Sequence, residues 1–119
     1  MLTEKEVARL LDAANAGVNR GEITLARRVY DGILATHPNH TGAQLGKALS
    51  FIAVAQYPQA DALLKTVLER LPDDPDALVY LGLSAVLSDR KDEARDYLEK
   101  VPENAPGAYS LARSLLETL

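Results

Sequence analysis

The chain has no cysteine, no tryptophan and a single phenylalanine, Phe51. Without cysteine it can form neither a disulfide nor a thiolate zinc site, and it holds no cysteine nucleophile. So few aromatic residues beside abundant Ala and Leu suit packed helices better than a sheet. A positive balance is missing too: the formal charge is −4, so long-range electrostatics repel a phosphate backbone and nucleic acid is not an expected partner. No unbroken apolar stretch reaches the roughly 18 residues of a membrane span. The start, Met1-Leu2-Thr3-Glu4-Lys5-Glu6, lacks the basic and apolar segments of a secretory signal. These absences predict a cytoplasmic protein with no membrane insertion.

Groups that could carry chemistry are equally sparse. His37 and His40 are the only histidines, they sit together in His37-Pro38-Asn39-His40, and no third ligand is adjacent for a metal. Asp73, Asp74 and Asp76 read as turn and cap residues, because the glycine and ligand spacing of a calcium loop are missing. Arg27-Arg28 and Arg90-Lys91 read as solvated charges. No glycine-rich phosphate loop and no Ser/His/Asp arrangement can be assembled. No catalytic residue, metal or cofactor is expected.

What is present is a period. Ala26, Ala60 and Ala94 are evenly spaced, and Pro38, Pro72 and Pro106 recur at the same interval. Tyr30, Leu64 and Leu98 keep the same register, as do Ile33, Val67 and Val101, and the small residues Ala14, Ala48 and Gly82. A fixed period of about 34 residues marks a stack of helix pairs. Short side chains let two helices approach at a crossing, and larger ones fill the space beside it.

Each unit reads as two helices. Thr3 and Glu6 have capping-box spacing for the first, which should end near Gly21. A second runs from about Glu22 to Thr36 and closes at His37-Pro38. The next unit starts near Thr41, turns at Gln56-Tyr57-Pro58 and ends at Leu71-Pro72. In the third, Asp74 or Asp76 caps a helix from Pro75 to about Ser88, Asp89-Arg90-Lys91 turns, and Pro102 cuts the partner helix short. A last amphipathic helix follows Pro106, with Ala108, Leu111, Ala112, Leu115 and Leu119 on its apolar side. Such a helix covers the exposed end of a stack.

This pattern resembles the tetratricopeptide repeat family. Leu81-Gly82, Ala94, Leu98, Val101 and Pro106 carry the resemblance best. The second unit matches through Ala48, Phe51, Tyr57, Ala60, Leu64 and Pro72, with Lys47 where the family usually has leucine. The first matches through Ala13-Ala14, Gly17, Gly21, Ala26, Tyr30 and Pro38. The resemblance implies an all-α fold: a right-handed superhelix of three helix-turn-helix repeats, about 4–38, 41–72 and 75–106. A C-terminal capping helix over about 107–118 completes one domain, 1–119.

It also implies a concave groove. The face that looks into it would hold Leu11, Asn15 and Val18 in the first unit, Leu45, Leu49 and Ile52 in the second, and Val79, Leu83 and Val86 in the third. That face is nearly all aliphatic. Two readings stay open for each of its residues, packing against the neighbouring repeat or facing the groove, because a helix apolar over so much of its circumference must be covered on several sides. Family members that clamp the C-terminal carboxylate of heat-shock chaperones use Lys, Arg and Asn there, whereas Leu11, Gly46, Asp76 and Tyr80 stand at the corresponding places and only Asn15 matches. An aliphatic groove suits the apolar stripe of an amphipathic helix.

The resemblance therefore implies a protein-binding function and no enzymatic one. In size and architecture the chain is similar to the small tetratricopeptide chaperones of bacterial type III secretion, which shield a needle or translocator subunit, the needle type often with a second small helical co-chaperone. The alternative is a structural adaptor in a stable assembly, or a homodimer formed through the C-terminal helix.

Overall fold

The computed structural model describes residues 2–119, so Met1, where the expected domain begins, lies outside the described residues. Among these there are seven helices and no strand: α1 Glu4–Asn19, α2 Ile23–Thr36, α3 Thr41–Ala53, α4 Tyr57–Arg70, α5 Pro75–Leu87, α6 Lys91–Glu99 and α7 Pro106–Leu116. Consecutive helices pack on one another as hairpins, α1 on α2, α3 on α4 and α5 on α6, and neighbouring hairpins stack through α2 with α3 and α4 with α5. The result is elongated, 43 × 27 × 22 Å.

The helix ends follow from local chemistry. Thr3 and Glu6 form the reciprocal capping box, Glu6 N–H to Thr3 Oγ1 at 3.2 Å and Thr3 N–H to Glu6 Oε1 at 3.1 Å, so two free amide donors are satisfied at once. Asp74, not Asp76, caps α5 by accepting the Ala77 N–H at 2.9 Å. The α3 cap is His40, whose Nδ1 accepts from the Ala43 N–H at 3.1 Å. His37 and Leu71 each precede a proline and have left the helical region, both at φ −131°.

The three turns inside the hairpins share one device. Gly21, Ala55 and Asp89 lie one repeat apart and all take positive φ, 80°, 60° and 59°. A single left-handed residue reverses the chain here whatever side chain it carries.

The register positions form the core. Tyr30, Ala48, Ala60, Leu64, Val67 and Ala94 have no measurable exposure, and Ala26, Ile33, Leu98 and Val101 are nearly as deep. Gly82 shows why the crossings need short residues: a Cβ placed there would lie 2.6 Å from Leu98 Cγ, inside any real carbon–carbon contact. Lys47, where leucine is usual in the family, reaches back to Asp31 on α2 at 2.6 Å.

Three surface expectations are corrected, one of them Arg90, which is no solvated charge but pairs with Asp61 at 2.8 Å across the second stacking junction. Arg27 is not a solvated charge: it lies 4.2 Å over the Phe51 ring and donates to Gln56 Oε1 at 2.7 Å across the first stacking junction. Leu111 points outward from α7, 40% exposed, and Tyr109 and Leu116 pack inward with Ala108, Leu115 and Leu119. α7 lies across both α5 and α6 and so turns a different face inward from the one a single amphipathic stripe would choose.

Candidate partner-binding groove

The first helices of the hairpins, α1, α3 and α5, pack side by side, α1 against α3 and α3 against α5. Residues four apart on a helix share one face. The row Leu11-Asn15-Asn19 on α1, the rows Gly42-Gly46 and Leu45-Leu49 on α3, and Asp76-Tyr80 on α5 converge on one open pocket of about 300 Å³. Its middle is low because α3 carries two glycines there. A Cβ on Gly42 would lie 2.8 Å from Leu11 Cδ2, and one on Gly46 would lie 2.5 Å from Tyr30 Cε1.

Tyr30 comes up beneath this floor from α2. It is fully buried, and its hydroxyl donates to Asn15 Oδ1 at 2.5 Å. Burial, and then Tyr80, push its hydroxyl up to about 12. Tyr80 is itself raised above the usual phenol range, by burial first and then by Asp76 and Asp74. Partial burial and the charge of Asp74 raise the Asp76 carboxyl in turn. Among the described residues, no lysine or arginine lines the pocket.

Of the nine residues expected on this face, Leu11, Asn15, Leu45 and Leu49 line the pocket. Leu83 and Val86 lie further along, half-buried against the second and third core clusters. Val18, Ile52 and Val79 are corrected to core, with 9%, 6% and 1% exposure. Val79 is buried because α3, α4, α6 and α7 all pack on α5, leaving little of its circumference open. Asn19 and Gly42 carry no expectation from the sequence, Gly46 and Tyr80 stand there only as positions lacking the bases of a carboxylate clamp, and Asp76 as such a position and as a candidate cap. The i, i+4 rows that join them were the available signal.

A second concavity, about 190 Å³, lies in the seam of the first hairpin between Ala13, Gly17, Leu25, Ala26 and Val29, with the Arg20–Glu22 pair at its rim. Gly17, which lines it, stands one repeat before Phe51. His37 and His40 border a shallow site with Glu4 and Val7. No group of three potential metal ligands occurs among the described residues, and none of the described helices is long and apolar enough to cross a membrane.

Helix hairpins stacked in register, with an open face built from their first helices, define a helical-repeat interaction module. The family model described as tetratricopeptide repeat matches residues 45–109, more than half of the chain. The chain belongs to the tetratricopeptide repeat family. Among solved structures it is similar to the type III secretion translocator chaperone SycD of Yersinia enterocolitica, in a crystal structure described as an alternative dimer. The TM-score is 0.83 at 18% sequence identity, covering 98% of this chain and 92% of that one. No curated protein matches the sequence.

Proposed function

We propose that the chain is a cytoplasmic chaperone that holds an amphipathic helix of a client protein in the α1–α3–α5 groove. The observation that carries this reading is the pocket itself: Leu11, Leu45 and Leu49 line one open concavity and are only half-buried, each packed on the core by one side and facing the pocket by the other. An apolar helix stripe laid on them gains the burial that the free protein leaves undone. The likeness in fold to a translocator chaperone favours a translocator subunit of a secretion apparatus as the client, and a needle subunit held together with a second small helical co-chaperone is the variant of this reading.

The test is capture of the tagged protein from its native cells, with the stoichiometry of whatever it holds. A small exported helical protein at one-to-one ratio supports the chaperone reading. A constitutive enzyme or membrane complex supports the second reading, a structural adaptor. Leu111, exposed on the outer face of α7, favours a homodimer through that helix as one form of the second reading. Leu111→Asp should then convert a dimer to a monomer in analytical ultracentrifugation.

A further inference from the structure

The groove is chemically lopsided. α1 and α3 supply Leu11, Leu45 and Leu49, and α5 supplies Asp76 with Tyr80 one turn above it. Asp76 is the one charged side chain lining the pocket among the described residues, and it enters no ion pair among them. Asp76 lies in the first turn of α5, where the helix dipole favours a carboxylate, but it makes no cap: the α5 cap is Asp74, which adds a second negative charge beside it. The Oδ1 of Asn15 is already taken by Tyr30, which leaves its amide N–H, a donor, toward the groove.

Asp76 is exposed where it lines the same pocket, so a helix seated on the three leucines runs beside it and displaces part of its water. A carboxylate that loses water without a counter-charge is costly to bury, and pairing offsets that cost. Lysine and arginine are suited to the task, because their aliphatic stems lie along leucine while the charged end reaches past it. An acidic residue at the same place would face both Asp76 and Asp74. Complementary charge of this kind sets which partner is accepted more than how tightly any partner binds.

We propose that the groove selects an amphipathic helix bearing a lysine or arginine beside its apolar stripe, with Asp76 as the residue that reads the cation. This rests on the helix-binding reading above and adds the charge of the ligand.

The experiment uses the full chain and three helical peptides that share one leucine stripe and differ at a single flanking position, Lys, Ala or Glu, titrated by fluorescence anisotropy. The lysine peptide should bind about two- to fivefold more tightly than the alanine peptide, and the glutamate peptide more weakly than either. Raising salt should shrink the lysine preference and leave the alanine peptide's affinity in place. Asp76→Asn should equalise the three, and Asp76→Lys should reverse their order, with circular dichroism showing both variants folded. Equal affinities for the wild-type chain, or a lysine preference that survives Asp76→Asn, would overturn the inference while leaving helix binding intact. Failure of all three peptides to bind would overturn the helix-binding reading and this inference with it.

Discussion

Asp61 on α4 pairs with Arg90 in the turn before α6 at 2.8 Å, across the junction of the second and third hairpins. The residues one repeat earlier, Arg27 and Gln56, meet at 2.7 Å across the junction of the first and second. The serines between them correspond as well: Arg27 Nε donates to Ser50 Oγ at 3.2 Å, and Arg90 Nη2 to Ser84 Oγ at 3.3 Å. One polar clasp is thus built twice, with its charge moved from the helix to the turn.

The clasp predicts a repair. Asp61→Arg sets two guanidinium groups against each other at a site where Asp61 is only 8% exposed, and should cost about 2 to 4 kcal/mol in denaturant unfolding. Adding Arg90→Gln recreates the Arg27–Gln56 arrangement and should restore at least about half of the loss. A double variant no more stable than the single one would show that the two junctions are not equivalent.

The glycines predict opposite signs. Gly82→Ala and Gly46→Ala drive a Cβ into Leu98 and into Tyr30 and should each destabilise by about 1 to 3 kcal/mol. Larger groups, as in Gly82→Leu or Ala60→Trp, should cost more. Gly32 lies within α2 with nothing near its Cβ position, so Gly32→Ala should stabilise by about 0.5 to 1 kcal/mol. Thermal unfolding of the three alanine variants checks the order.

The left-handed turn residues predict another pair. Ala55 sits at φ 60°, a conformation that an L side chain resists, whereas Gly21 takes φ 80° freely. Ala55→Gly should raise stability by about 0.5 to 1 kcal/mol and Gly21→Ala should lower it by about 1 kcal/mol. Equal and neutral effects in chemical denaturation would remove the turn argument.

Tyr30 predicts a pH dependence at the alkaline end. Its folded-state pKa lies above the ordinary 10.0, at about 12, so its contribution is complete below pH 10 and is lost as pH rises through 12. The phenolate can no longer donate to Asn15. Stability should fall by about 2 to 3 kcal/mol across that window, and Tyr30→Phe should flatten this part of the profile. A variant with an unchanged slope would assign the loss to other groups.

The stack was legible because its markers are constrained from every side. Ala60, Leu64, Val67 and Ala94 can be only small or apolar where they lie, so the repeat period survives in plain sight. The open face was harder to read. Helix α5 is apolar around most of its circumference, and a helix of that kind does not declare which apolar residue is covered; Val79 went to the core and Leu45 to the pocket from the same register position. Ala55 hid a left-handed turn because alanine carries no sign of one. Arg27 passed for a surface charge because its partners, Ser50 and Gln56, belong to the next hairpin and lie far from it along the chain.

On the proposed function, the aliphatic face of α1, α3 and α5 binds a partner instead of completing the core. Leu49 lines the pocket, and both it and Leu83, expected on the same face, are half-buried. The most direct measurement compares the Leu49→Glu, Leu83→Glu double variant with the wild-type chain for thermal stability and for affinity to the captured client, side by side. We expect a folded variant, its midpoint within about 5 °C of wild type, that binds at least about tenfold more weakly because unpaired carboxylates face an apolar stripe. A variant that unfolds would assign both leucines to the core, and one that folds and binds as wild type would place the partner on another surface; either result contradicts the account.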